Sequence, residues 1–268
     1  MKYQYKNKED KLKAIIKKMK SVIVAFSGGL DSSYLACITY EVLQNNCIAI
    51  TALSPSLSKK ELMDVKLVIQ QIGIPHRFIP TYELNQEEYI KNNFLRCYYC
   101  KKELFRTLRE IASIENYHYI LDGSNCDDLK DERAGRKAGK EFQVRSPLIE
   151  TGYSKKDIRF YAKKHNLPTW NKPASPCLAS RIPYSSPITE VKLHQIEEGE
   201  AYLHDLGFIV FRLRHHDLIA RIECTPEHFH LILKHAKKII AKFKSLGFHY
   251  ITLDLEGYRL SGLHQPKR

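Results

Sequence analysis

The stretch "SGGLDSS", residues 27–33, has the residue types of an anion-binding loop. Gly28 and Gly29 let backbone N–H groups approach a phosphate closely, and Ser27, Ser32 and Ser33 add hydroxyl donors. Asp31 is unfavourable beside a phosphate unless it orients the loop or holds Mg2+. The lysine of a G-x-x-x-x-G-K-[ST] loop is missing, so γ-phosphoryl transfer is not the expected chemistry. "RCYYCKKELF" places Cys97 and Cys100 at helical i, i+3 spacing, on one face of a helix start, a position that favours thiolates. "NKPASPCLASRIPY" (171–184) adds Cys177 in a proline-bounded loop. A structural zinc site wants four ligands, and neither a second C-x-x-C nor an H-x-x-x-H is present. A [4Fe–4S] cluster usually takes four thiolates, and three would leave one iron open to a substrate or an extra sulfide. Cys177 is the natural third ligand, because loops carry function more often than packing. By itself it also suits a nucleophile or an inert thiol, and Cys126 competes for the role. Cys37, Cys47 and Cys224 lie in apolar or alternating contexts and read as structural.

Anion contacts are expected farther along. Arg181 follows Cys177 by four residues, and Arg212 and Arg214 alternate on one strand and so face one side. Guanidinium groups bind phosphate and carboxylate in a bidentate manner, although two arginines on one strand also suit a solvated sheet face. The 12 histidines have no convincing metal spacing, and His215–His216 reads as a turn.

The elements that must position these residues follow from periodicity. "SVIVAF" reads as a strand leading through the glycine loop into the helix of "YLACITYEVL". "CIAITAL", "HRFIP" and "YILDGSN" (119–125) read as further strands, separated by the helices of "SKKELMDVKLVIQQIG" and "CKKELFRTLREIASIEN". Strands alternating with helices imply βαβ units and a parallel sheet. Residues 127–142 read as a polar loop, and "SKKDIRFYAKKHNLP" as a capped helix. Beyond the proline-rich segment the style changes to helix, two strands with a turn near His215–Asp217, one long helix over "TPEHFHLILKHAKKIIAKFKSLGF", and a last strand. The expected fold is α/β, a parallel-sheet domain over 1–185 followed by a smaller α+β domain over 186–268.

The composition is 43% hydrophobic and 27% charged, ordinary for a soluble protein. No apolar run approaches the roughly 18–20 residues that cross a bilayer. The basic first 20 residues lack an apolar signal core, so the cytoplasm is the expected compartment and no membrane partner is expected. The odd cysteine count of 7 without a secretory signal argues against a disulfide framework. The net charge of +13 suits anionic partners such as nucleotides, nucleic acid or phosphorylated metabolites.

The S-G-G-x-D-S-S loop in its strand–loop–helix setting resembles that of the PP-loop ATP pyrophosphatases, which implies adenylation with release of pyrophosphate. Ligands of such sheets lie outside the carboxyl ends of the strands, which brings Ser54 and Gly123 within reach of the nucleotide. Over nearly its whole length the chain resembles the LarE family within that superfamily. The resemblance rests on "VAFSGGLDSS", "RCYYCKKELF", "LDGSNCDD", "NKPASPCLASRIPY", "LHDLGF", "FRLRHHDLIARIE" and "YITLDLEGYR". It implies adenylation, with ATP and Mg2+, of the carboxylates of pyridinium-3,5-biscarboxylic acid mononucleotide, then sulfur insertion to give thiocarboxylates for a nickel-pincer nucleotide. One branch of the family sacrifices the cysteine matching Cys177, and another holds a [4Fe–4S] cluster on that cysteine and a C-x-x-C pair. Cys97 and Cys100 place this chain with the cluster branch. The resemblance also implies substrate contacts at Ser180, Arg181, Glu200, Arg212 and Arg214 and catalytic roles for Cys177, Asp31 and Arg181, while Asp128 and Arg133, by their place in the polar loop, are weaker candidates to close over the nucleotide. Partners implied are the mononucleotide, a sulfur donor system and further copies of the chain in a homo-oligomer. A PP-loop tRNA thiolase is the alternative, although no added RNA-binding module is visible and nucleic acid is not the expected partner.

Overall fold

The computed structural model describes residues 2–129, 134–173 and 175–259. The chain runs α1 (Lys2–Lys17), β1 (Val22–Ala25), α2 (Leu30–Leu43), β2 (Cys47–Leu53), α3 (Lys59–Ile72), β3 (His76–Pro80), α4 (Glu87–Ile90), α5 (Arg96–Ile114) and β4 (Tyr119–Leu121). It continues through α6 (Ala134–Glu141), α7 (Pro147–Glu150), α8 (Lys155–Lys164), α9 (Glu190–Asp205), β5 (Phe211–His216), β6 (Ile219–Cys224), α10 (Phe229–Lys234), α11 (Ala236–Ser245) and β7 (Tyr250–Leu253). Two compact units result. One comprises Met1–Ser54, Lys59–Glu83 and Leu95–Ser175, the other Pro55–Ser58, Leu84–Phe94 and Pro176–Arg268.

The first unit is an α/β layer structure. Its four strands lie in the order β3-β2-β1-β4, all parallel. Every residue of β1 is buried, because a parallel sheet is covered on both faces. Alternation divides the strand between two cores. Val22 and Val24 pack with Leu12, Tyr34 and Tyr161 of the flanking helices, and Ile23 and Ala25 pack with Phe105, Leu108 and Ile120. The second unit carries a sheet ordered β5-β6-β7, antiparallel then parallel. Leu213, Ala220, Ile222 and Cys224 form its apolar face with Leu203, Ile232, Ile239 and Phe243 of the helices. The opposite face presents Arg212, Arg214 and Glu223, and Arg212 pairs with Glu223 in register.

The α/β fold with a smaller mixed unit is therefore the one expected, with local differences. Residues 134–141 form α6 rather than loop, since Ala138 finds a buried site in the core beside Phe105. The fourth strand stops at Leu121, after which Asp122 accepts hydrogen bonds from the hydroxyls of Ser124 (2.7 Å) and Ser146 (2.6 Å). The long C-terminal helix is instead a turn at Pro226–His228 followed by α10 and α11. His215 and His216 belong to β5, and the reversal falls after them at Asp217, whose φ of 54° is left-handed. Among the described residues no helix is long and apolar enough to cross a membrane.

Candidate active site

In the first unit, β1 delivers the chain into the 27–33 loop beside β2, where the Phe26 N–H donates to the Ile50 carbonyl at 2.9 Å. Gly28 has φ of 66°, and a Cβ there would stand 2.6 Å from Val65 Cγ2, so both conformation and space demand glycine. Gly29 is the N-cap of the 14-residue α2 and offers no side-chain cap. The first N–H groups of α2 are thus left for an anion, aided by the helix dipole. The Ser33 and Ser32 hydroxyls donate to the Gly29 carbonyl at 2.7 and 3.2 Å, and the Ser27 and Ser32 oxygens lie 3.1 Å apart. These serines hold the loop's shape. Gly123 is constrained by space alone, as a Cβ there would lie 2.9 Å from the Ser32 nitrogen, so the chain just beyond β4 abuts the start of α2.

Asp31 forms an ion pair through Oδ2 with Lys155, while its Oδ1 is buried without a hydrogen-bond partner among the described residues. Burial raises its pKa, opposed by the Lys155 charge. One carboxylate oxygen left unpaired in a phosphate-type loop fits a hard cation such as Mg2+. Lys172 donates to the Gly28 carbonyl at 3.2 Å and pairs with Asp64 at 2.8 Å. Ser54, directly after β2, hydrogen-bonds Glu83 in the turn after β3. Asp128 accepts the Asn125 N–H at 3.0 Å, and Arg133 lies outside the described residues.

Cys97 and Cys100 stand in the first two turns of α5, the former exposed and the latter half-buried. Cys47 and Cys224 are fully buried, and burial pushes their thiols up to about 12 and about 11. Both are packing residues, and Cys37 is partly buried against the first core. Cys126 is half-buried, its thiol pKa raised by burial, with its N–H donated to the Tyr153 carbonyl at 2.8 Å.

In the second unit, Cys177 is half-buried and opens the single turn Leu178–Arg181. Arg181 clasps this turn. Its Nη1 donates to the carbonyls of Pro176 and Cys177 (3.0 Å to the latter), and Nε and Nη2 each reach Glu200 at 2.9 Å. Glu200 also accepts the Leu213 N–H at 3.1 Å, tying α9, β5 and the cysteine turn together. Arg214 donates to the Ser180 carbonyl at 3.0 Å and lies 2.9 Å from Glu223, with both side chains buried. Arg212 differs. It is 3% exposed, its guanidinium lies over the Tyr258 ring at 5.1 Å, and its Nη1 is buried without a hydrogen-bond partner among the described residues. Burial lowers its pKa, and the nearby Arg181 and Arg214 charges act in the same direction.

A family model described as NAD synthase matches residues 4–94. An uncharacterized protein of Synechocystis sp. is 41% identical over 261 residues, 97% of each chain. The pyridinium-3,5-bisthiocarboxylic acid mononucleotide synthase of Lactiplantibacillus plantarum is 35% identical over 254 residues, 94% of this chain and 92% of that protein. The chain belongs to the LarE family. A tRNA-specific 2-thiouridylase of Rickettsia massiliae is 27% identical over 233 residues, covering 71% of this chain but 62% of its own length.

Sequence reasoning missed three residues that touch the candidate site residues: Lys155, Lys172 and Glu83. Lys155 sits 124 positions from Asp31 in the chain, and only its place just after the Ser154 cap set it apart. Lys172 occupies the quoted cysteine segment, where a lone lysine carried no signal. Glu83 lies in a short polar turn with none.

Proposed function

We propose that this LarE-family protein is an ATP-dependent sulfur transferase. It adenylates the carboxylates of pyridinium-3,5-biscarboxylic acid mononucleotide and converts them to thiocarboxylates. The observation that carries the reading is the start of α2 behind the 27–33 loop, without a side-chain cap, where one buried oxygen of Asp31 has no hydrogen-bond partner among the described residues. A carboxylate is a poor electrophile, and attack of its oxygen on the α-phosphate of ATP makes it reactive while pyrophosphate leaves. The loop N–H groups and the α2 dipole hold the phosphates, Asp31 holds Mg2+, and Lys155 and Lys172 supply positive charge. Ser54 and Gly123 flank the nucleotide. Attack by sulfur on the acyl-adenylate then expels AMP, sulfide or thiolate being a strong nucleophile near neutral pH.

Cys97, Cys100 and Cys177 are soft ligands that would hold a [4Fe–4S] cluster, whose open iron would carry the sulfide for transfer. In this reading Arg181 and Glu200 position the Cys177 turn, and Arg212, with Ser180 and Arg214, receives the substrate's phosphate or carboxylate. Residues 1–185 carry adenylation, and residues 186–268 supply substrate contacts and the contacts of a homo-oligomer. A cytoplasmic setting with a sulfur donor system completes the proposal.

The test is anaerobic reconstitution with iron and sulfide, followed by absorption spectra and by mass analysis of product from ATP and the mononucleotide. Wild type is expected to gain a cluster and to release pyrophosphate only with the carboxylate substrate. Cys97→Ala, Cys100→Ala and Cys177→Ala are each expected to lose the cluster. Full clusters in all three variants would sink the three-ligand assignment, and absence of substrate-dependent pyrophosphate would sink adenylation. The tRNA thiolase reading draws on the thiouridylase match, which spans less than two thirds of that enzyme. Thiolated nucleoside formed from tRNA would favour it.

A further inference from the structure

We propose that the cationic face which α6 lays beside Cys97 steers a small anionic sulfur donor, hydrosulfide, to the thiol pair of α5. The inference rests on the sulfur-transfer reading above. The two helices belong to one unit and touch where α5 begins. Gly135, in the first turn of α6, packs so closely there that a Cβ would lie 3.4 Å from the Cys97 carbonyl oxygen and 3.2 Å from Lys101 Cγ. Cys97 itself is exposed.

The charge on α6 is lopsided. Its sequence, AGRKAGKE, holds three cations and one acid. The acid is balanced from α5: Glu141 accepts the Tyr98 hydroxyl at 2.8 Å and lies 3.3 Å from Lys102 Nζ. Arg136, Lys137 and Lys140 form no ion pair among the described residues. Packing does not require them, since Ala138 is the one buried residue of the helix. The Lys137 and Lys102 ammonium groups lie 5.5 and 5.6 Å from the ring centroid of Tyr98, the residue after Cys97, which keeps both charges beside the thiol. Cys97 stands in the first turn of α5, so the helix dipole adds to the positive potential there. Cations without counter-charges concentrate small anions within about a Debye length, roughly 8–10 Å at physiological ionic strength. Hydrosulfide combines one negative charge with soft sulfur, which suits both this field and an iron left open by three thiolates.

The experiment compares alkylation of Cys97 by iodoacetate, an anion, and by iodoacetamide, its neutral counterpart, in the reduced full chain at low ionic strength. Mass spectrometry of the Cys97 peptide gives the two rates, and division by those of N-acetylcysteine amide removes intrinsic reactivity. Wild type is expected to favour iodoacetate about fivefold over that reference and to lose the preference in about 0.5 M salt. A triple variant of α6, Arg136→Gln with Lys137→Gln and Lys140→Gln, should lower the preference about threefold. The control changes net charge equally at the amino end of β1, by Lys17→Gln, Lys18→Gln and Lys20→Gln, and should stay within about 1.5-fold of wild type. The KM for sulfide in thiocarboxylate formation should rise about threefold in the α6 variant alone. Thermal melts confirm folding, and if the α6 variant does not fold, the salt dependence of wild type decides. No preference in wild type, or one that the α6 variant keeps, overturns the inference and leaves the sulfur-transfer reading intact. A lost preference with an unchanged KM for sulfide overturns the assignment to hydrosulfide. A wild type that forms no thiocarboxylate from sulfide overturns the transfer reading and that assignment with it.

Discussion

The two units handle negative charge by different means. The first builds its candidate anion site from backbone: two glycines, the open start of α2 and serines that turn inward to the Gly29 carbonyl. The second builds from side chains, placing Arg181, Arg212 and Arg214 against Glu200 and Glu223. A backbone site costs little to leave empty, because exposed N–H groups keep water as a partner. A buried guanidinium does not, so the second unit ties Arg181 and Arg214 to carboxylates, while Nη1 of Arg212 and Nε of Arg214 find no hydrogen-bond partner among the described residues.

The comparison can be broken at several points. The largest effect is expected at Arg214→Ala, which removes the fully buried partner of Glu223 and leaves it only the partly exposed Arg221 at 3.0 Å, and should cost about 3 kcal/mol in denaturant unfolding. A loss under 1 kcal/mol would mean that Arg214 is not a structural tie. Gly28→Ala should lower substrate-dependent pyrophosphate release by about 100-fold, since a displaced loop misplaces the reacting groups. Near-normal rates would show that the loop tolerates a side chain. Arg212→Ala should act oppositely to Arg214→Ala. We expect a KM rise of about tenfold with an unchanged or slightly raised melting temperature, because an unsatisfied buried donor is removed. A large drop in melting temperature would put Arg212 with the structural arginines.

A subtler contrast lies in pH. The buried pairs of the second unit use arginine, which does not titrate, whereas Glu9 in the first unit faces His165 at 3.0 Å. Burial opposes ionisation of Glu9, but the hydrogen bond and charge of His165, with Lys164 and Lys13, outweigh it and hold the carboxyl down to about 2. Hydrogen bonds to Cys37 and then Glu9 push His165 up to about 9. A raised imidazole stabilises fully below its ordinary 6.5 and loses that as pH rises through 9. A lowered carboxyl stabilises above its ordinary 4.5 and loses that as pH falls through 2. The melting-temperature gap between wild type and His165→Gln should therefore be widest from pH 4.5 to 6.5 and shrink toward 9. A gap flat with pH would remove the ion pair from the account. The smallest effect is expected at Ser154→Ala, where losing the capping box ahead of Lys155 should cost about 1 kcal/mol.

Legibility followed the same division. The 27–33 loop was readable because a backbone site demands particular residues at fixed spacing, and Gly28 and Gly123 prove to be places where a Cβ does not fit. The parallel sheet was readable because strands buried on both faces are continuous apolar runs. Helix α6 was not, since its polar sequence is helical only through the buried seat of Ala138. His215 and His216 read as a turn because polar residues cluster in turns, yet burial holds His215 in strand β5 and lowers its pKa to about 4.

By itself the sequence determined which residue types lie near one another along the chain, and with them the α/β class, the phosphate-type loop, the C-x-x-C pair and the family. Three arginines could be named but not told apart. Only the tertiary structure decided that Arg181 clasps the Cys177 turn, that Arg214 is bound to Glu223, and that Arg212 lies over the Tyr258 ring. It alone brought Lys155 to Asp31 and Glu83 to Ser54. The reason is physical. Backbone conformation leaves a local imprint on sequence, whereas the role of a charged side chain is set by partners that folding brings from elsewhere in the chain.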